Sequence, residues 1–463
     1  MHFKALTLGA LFLGLASQAL ALVEGQRFHQ SSLINKAGEA RADGSLRVAR
    51  TGTFKQKLHH GNASNSQTFQ QRYFIDSVYA RGEQAPVFYI ICGEWRCAGT
   101  GSYSMAEKLA KEVGAHLVAL EHRFYGDSSP FDQLSTTNLE TLTLHSAVED
   151  LASFQRHAMA QWNMNGKWIA FGGSYAGSLA AFYRLKHPEL VTGALASSAP
   201  VLLKNEFNEY DAHIASVINR STCGDKIREA VHLIEAKLAT PEGTAEVKQI
   251  FQASDIRLEE DFLYAAADMV AAAVQYGKDD VLCGMIRSNP DLIAGYAQGG
   301  LAVLNSMGMT PLSLSFQSAE DTTMTPDSYM RQWMWQSCQE FGWFQVSNTT
   351  SEGTSRSSRI DLDYHDRVCQ RLFGKNMSPD GALNPVWYAP LFDQTTNRII
   401  FTNGNNDPWL RLSVTNDSPA NPGFDIFMMD GAAHCHDLRA TINIPAVLAA
   451  QVRFSAIIKG WLN

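Results

Sequence analysis

Residues 168–186 read Trp-Ile-Ala-Phe-Gly-Gly-Ser-Tyr-Ala-Gly-Ser-Leu-Ala-Ala-Phe-Tyr-Arg-Leu-Lys. The apolar run Trp168–Phe171 predicts a buried strand, and Ser178–Lys186 predicts a helix. Between them Gly172, Ser174 and Gly177 form Gly-x-Ser-x-x-Gly, one place away from the commoner Gly-x-Ser-x-Gly. A turn this tight lifts a serine hydroxyl above the end of a sheet, and small residues on either side permit it. Most glycine–serine clusters are plain loops. The apolar strand before this one and the helix after it set it apart.

Strand and helix signals alternate on the N-terminal side. Ala85–Cys92 is apolar and bounded by Pro86 and Gly93; Met105, Leu109 and Val113 share one helical face that ends at Gly114. His116–Leu120 predicts a strand, Leu144–Trp162 a helix and Val191–Ala196 another strand, all after a polar lead-in ending near Gln67. Such alternation predicts a mostly parallel sheet covered on both faces. It stops after Ala199-Pro200, and residues 203–384 are mostly helical. Strands resume at Arg398–Phe401 and Asp425–Met429, and Ile444–Leu462 predicts a last helix. Two domains in series would leave those last strands without a sheet. The expectation is therefore an α/β-hydrolase fold in two parts, 22–202 and 385–463, with a large, mostly helical cap, 203–384, inserted late in the sheet.

A serine nucleophile needs a base, and the base needs a carboxylate to orient it. In this fold they follow in the order Ser, Asp or Glu, His. Asn403-Gly404-Asn405-Asn406-Asp407-Pro408-Trp409 follows the first resumed strand, and Gly431-Ala432-Ala433-His434 follows the next. Taken singly, Asp407 reads as turn chemistry and His434 as a loop histidine with His436 as a competitor. Ser174, Asp407 and His434 together, each after a strand and in order, read as a catalytic triad. The oxyanion donors expected are the backbone N–H of Tyr175 and one from Gly93 or Glu94 after the Ala85–Cys92 strand. This chemistry requires no metal or organic cofactor.

The chain has 463 residues, 45% hydrophobic and 18% charged, with a net charge of −8. That balance argues against a nucleic-acid partner. Lys4, an apolar stretch from Ala5 to Ala16 and Ala19-Leu20-Ala21 predict a signal peptide over residues 1–21, hence a secreted or lysosome/vacuole-like destination. The apolar stretch is too short for a membrane span. Seven cysteines, Cys92, Cys97, Cys223, Cys283, Cys338, Cys369 and Cys435, fit an oxidising compartment and leave at least one without an intramolecular partner. Connectivity stays open, with Cys338–Cys369 and Cys223–Cys283 as candidate pairs. Asn-x-Ser/Thr sequons begin at Asn62, Asn219, Asn348, Asn376 and Asn416, compatible with a glycoprotein. Oligomeric state is open, a homodimer included.

The stretches Gly172–Ala181 and Ala196–Val201 resemble the prolyl-type serine exopeptidase family, which includes lysosomal Pro-X carboxypeptidase, dipeptidyl peptidase II and thymus-specific serine protease. Gln71–Phe74, Glu121–Ser128, Trp335–Gly342, Asn403–Trp409 and His434–Leu438 agree with it in order. Leu412–Thr415 and His434-Cys435 lie nearest the thymus-specific branch. Trp95-Arg96-Cys97 departs from the family, whose members carry glycine and small residues after Glu94. The resemblance implies cleavage of peptide substrates beside proline from a chain end, under a helical roof. Glu94 or Glu340 would hold a free amine; Arg72 or Arg123 would hold a carboxylate. Each reads equally well as half of a structural ion pair. Trp333, Trp335, Phe341, Trp343 and Phe344 would line a proline-sized pocket, although an aromatic run in a cap also reads as core. A carboxylesterase or lipase with the same triad is the alternative enzyme, and a binding protein on the same fold the alternative class.

Overall fold

The computed structural model describes residues 49–61, 64–348, 353–378 and 380–463. The expected signal peptide and the Asn62 sequon lie outside them. Eight strands form one sheet: β1 (Ala49–Lys57), β2 (Thr68–Asp76), β3 (Val87–Ile91), β4 (His116–Leu120), β5 (Trp168–Gly173), β6 (Gly193–Ser197), β9 (Ile399–Gly404) and β10 (Phe424–Met429). Their order is β1-β2-β4-β3-β5-β6-β9-β10, antiparallel at β1/β2 and β2/β4 and parallel from β4 to β10. Layering follows from the side-chain alternation of a strand. In β3, Val87, Tyr89 and Ile91 enter one apolar layer while Phe88 and Ile90 enter the other. In β5, Trp168 and Ala170 share the first layer, and Ile169 and Phe171 the second.

Helices α1 (Ser104–Val113), α2 (Leu144–Trp162), α3 (Tyr175–Lys186) and α12 (Pro445–Leu462) cover the faces. Their ends carry local signals. Thr143 accepts from Ser146 N–H at the start of α2, and Gly114 takes a left-handed φ of 75° at the end of α1. β1 corrects the polar lead-in expected before Gln67. It is the outer strand of an antiparallel ribbon, with much of its polar surface exposed, so it shows no apolar run.

The chain between β6 and β9 carries the cap: α4 (Asn208–Ile218), α5 (Cys223–Leu238), α6 (Pro241–Ile250), α7 (Glu259–Gln275), α8 (Asp279–Ser288), α9 (Leu292–Asn305), α10 (Met330–Gln336) and α11 (Leu362–Phe373). A short parallel pair, β7 (Lys204–Glu206) with β8 (Gly342–Phe344), ties its entry to a later segment. The fold is thus an α/β hydrolase with a mostly helical cap. Among the described residues no helix is long and apolar enough to cross a membrane.

Both candidate disulfides form, Cys223–Cys283 and Cys338–Cys369, together with Cys92–Cys97, and Cys435 is free. Asn219, Asn376 and Asn416 are exposed, whereas Asn348 is buried and donates to Gly353 O, out of reach of a glycan in the folded chain. Cys338–Cys369 spans 31 residues and joins the end of α10 to α11. Replacing both cysteines by alanine should cost about 4 kcal/mol by loop-closure entropy, read as a lower urea midpoint.

Candidate active site

Ser174 sits between β5 and α3 at φ 59°, ψ −135°, a conformation that non-glycine residues rarely hold. The packing around it explains the flanking glycines. A Cβ at Gly172 would stand 2.0 Å from Ala176 O, and one at Gly177 would stand 2.8 Å from Ser197 O. Ser174 N–H donates to Ser197 O at 2.9 Å, so β6 pins the turn from the side. Gly93 lies against the first turn of α3, where an added Cβ would meet Ala176 N at 3.4 Å. The β3 loop and the Tyr175 end of α3 are therefore adjacent, as two oxyanion donors must be.

Asp407, fully buried after β9, accepts from Trp409 N–H at 3.0 Å through Oδ1. Its Oδ2 lies 2.8 Å from His434 Nδ1. With Asp407 Oδ2 accepting from Nδ1–H, Nε2 is left as the basic nitrogen. Nε2 is buried and has no hydrogen-bond partner among the described residues. His436 does not compete, because its Nδ1 accepts from Ala433 N–H at 3.2 Å. Burial alone pulls the His434 pKa down, but Asp407 beside it and the Cys435 sulfur outweigh burial and raise it well above the ordinary histidine range.

The cap reaches into this arrangement at two points. Gln275 O, at the end of α7, accepts His434 N–H at 2.9 Å, and the Tyr276 ring stands edge-on to the imidazole. At Tyr175, the residue after Ser174, Gln336 Nε2 of α10 donates to Oη at 2.8 Å while Tyr125 Oη donates to Gln336 Oε1 at 2.7 Å. His122 Nε2 is 3.1 Å from the same Tyr175 hydroxyl, and its Nδ1 is 2.7 Å from Arg123 O. Burial lowers the His122 pKa to about 4. A neutral His122 donates from Nδ1 and accepts from Tyr175, so every hydrogen in the chain has one direction.

A cavity of about 480 Å³ opens over Ser174 between the sheet and the cap. Its wall includes Glu94, Tyr175, Asp268, Gln275, Trp333 and Trp409. Among the described residues no lysine or arginine lines it. The expected substrate residues divide accordingly. Glu94 and Trp333 line the cavity, and burial raises the Glu94 pKa, with its own amide and His434 opposing. Trp335 instead packs edge-on to Phe373, and Trp343 stacks on Phe341 while its indole N–H donates to Leu202 O. Both are core.

Neither expected arginine reaches the cavity wall. Arg72 pairs with Glu121 and Asp127. Arg123, fully buried, holds Asp150 through Nε at 2.7 Å and Nη2 at 2.6 Å and donates to Lys57 O, Leu58 O and Thr141 O. Their charges are spent inside the fold. Glu340 is likewise turned away, its Oε2 accepting Leu144 N–H at 2.7 Å at the start of α2. Sequence reasoning did not find the contributions of α7. A signal was there: Asp268 interrupts the apolar run from Phe262 to Val274, and Gln275, seven residues on and on the same face, ends it.

Burial pushes the Glu340 pKa up to about 8, against the pull of Leu144 N–H. The folded chain keeps a proton that the unfolded chain releases, so stability falls as pH rises from 4.5 to about 8. Glu340→Gln keeps the acceptor and removes the ionisation. Its Tm should rise by several degrees at pH 8 and stay unchanged at pH 4.5 in differential scanning fluorimetry.

Residues 56–446 match the family model described as serine carboxypeptidase S28. The chain is 34% identical to the probable serine protease EDA2 of Arabidopsis thaliana, over 86% of this chain and 83% of that one. It is 32% identical to the thymus-specific serine protease of Mus musculus, over 100% and 99%. It is 28% identical to the lysosomal Pro-X carboxypeptidase of Bos taurus, over 88% and 87%. With a model matching most of its length and relatives covered nearly end to end, the chain belongs to the serine carboxypeptidase S28 family and is a serine peptidase.

Proposed function

We propose that the chain is a serine exopeptidase that cleaves peptides beside proline through Ser174, His434 and Asp407, releasing dipeptides from a free amino terminus. The wall of the cavity over Ser174 carries the reading: it holds the carboxylates of Glu94 and Asp268 and, among the described residues, no lysine or arginine. A carboxypeptidase needs a cation to receive the substrate's terminal carboxylate, and an aminopeptidase needs an anion for its amine. Glu94 forms no ion pair with a lysine or arginine among the described residues, which leaves its charge to the cavity. Trp333, edge-on to Tyr175 at 5.9 Å, supplies an aromatic wall suited to a proline ring. The resemblance to prolyl exopeptidases points the same way.

In this mechanism Ser174 Oγ attacks the carbonyl of the residue before the scissile bond as His434 Nε2 takes its proton. The backbone N–H of Tyr175 and one from Gly93 or Glu94 receive the oxyanion. His434 then protonates the leaving amine, and water resolves the acyl-enzyme by the same route. The disulfides fit an oxidising compartment, and we place the working enzyme in the secretory or lysosomal route.

A fluorophosphonate probe should label Ser174, identified by mass spectrometry of the tryptic fragment, and Ser174→Ala should lose both label and turnover while keeping its Tm. An unlabelled wild type would sink the assignment. Nε2 acts only when unprotonated, so the raised His434 pKa puts the acid limb of kcat/KM above the ordinary histidine range. Asp407→Asn removes the larger raising influence and leaves burial opposed by the Cys435 sulfur alone, so the limb should move to lower pH while kcat falls about 10³–10⁴-fold.

A further inference from the structure

We propose that Asp268, on cap helix α7, receives the substrate's α-amine and sets the length of the released fragment at two residues. The inference rests on the exopeptidase reading above and adds the residue and the distance. Asp268, Ala271, Ala272, Gln275 and Tyr276 all line the cavity. Their spacing places them on one stripe of α7. One end of the stripe is tied to the reacting centre, because Gln275 O holds His434 N–H. Asp268 lies seven residues away, two turns of helix or about 10 Å along the axis. An extended dipeptide spans about 7 Å, and an amine–carboxylate contact adds about 3 Å. The two alanines between leave a trough where larger side chains would fill the path.

The surroundings of Asp268 suit a cation. Its Oδ1 takes Arg356 Nη2 at 2.6 Å, and its side chain keeps 17% exposure where it meets the cavity. Arg356 is itself 2% exposed and lies over the rings of Tyr210 and Tyr264, so it backs the wall without entering the cavity. Its Nε and Nη1 have no acceptor among the described residues. Asp211, held by Ser355, Thr354 and Asn348 N–H, also acts on this arginine. Burial raises the Asp268 pKa while Arg356 and Tyr264 hold it down, and a substrate ammonium at its exposed edge would add to that hold. Glu94 is less suited to holding that ammonium. It sits at the triad end, within the field of His434 and next to Gly93, too near the reacting carbonyl for the amine of an extended dipeptide.

The test compares Ala-Pro-anilide with its N-acetylated form on the full-length enzyme. Wild type should prefer the free amine by about 10- to 150-fold in kcat/KM, the range for a hydrogen-bonded charge. Asp268→Asn should bring the two substrates within about threefold, mainly through KM, while the rate of fluorophosphonate labelling at Ser174 stays unchanged. Asp268→Asn/Arg356→Met removes both charges together and should give the same loss if the single variant fails to fold. Ala271→Leu, which fills the trough, should cut dipeptide-anilide turnover at least tenfold with labelling intact. An unchanged preference in the Asp268 variants overturns the assignment, as does a preference abolished by Glu94→Gln alone. Full turnover of an acetylated substrate bearing lysine before proline would overturn the α-amine as the ligand. Labelling without any peptide turnover would remove the exopeptidase reading itself.

Discussion

Ser174 holds φ 59°, ψ −135° only because its neighbours leave no other path for the chain. Gly172 packs against Ala176 O and Gly177 against Ser197 O, each closer than a Cβ would permit. Ser197 O also receives Ser174 N–H, so β5, β6 and α3 meet at one point. Strain of this kind, on the order of 1–3 kcal/mol, persists where a rigid scaffold over-determines it. Here the scaffold is a parallel sheet buried on both faces, and its carboxyl ends carry Ser174, Asp407 and His434 in turn. The elbow fixes where the serine can stand, and the other groups are arranged around that position.

The cap both bounds the cavity and holds parts of the site. Gln275 O takes the His434 amide, and Gln336 takes the Tyr175 hydroxyl, so α7 and α10 each grip one side of the proposed triad. Tyr175 is the residue whose N–H should serve the oxyanion, and its ring is anchored by groups from both the sheet and the cap. A displaced cap would therefore disturb the reacting groups as well as open the cavity. Cys338–Cys369 links the end of α10 to α11, which steadies the segment carrying Gln336.

Much of this was legible in the residues. β4 and α2 have the bounds their apolar patterns predict, and Ser174, Asp407 and His434, the proposed triad, each follow a strand, β5, β9 and β10 in turn. β1 was not legible, since an edge strand with polar residues outward lacks an apolar run. Arg72 and Arg123 were open because charge sign carries no partner. Glu121 and Asp150 lie 49 and 27 residues away in sequence, and only the fold brings them together. Trp335 and Trp343 share the composition of Trp333, but the packing of α10 and β8 turns them into core. Asp268 stood out as a polar residue inside an apolar helix, but only the fold lays that face of α7 along the cavity.

The central claim is that one cavity joins Ser174 chemistry to recognition of a free amino terminus. Mass spectrometry of the products from proline-containing peptides with free or blocked ends, with Ser174→Ala as the control, tests it most directly. The account predicts N-terminal dipeptides that disappear on N-acetylation and persist on C-terminal amidation. Single C-terminal residues, lost on amidation and indifferent to acetylation, would contradict it.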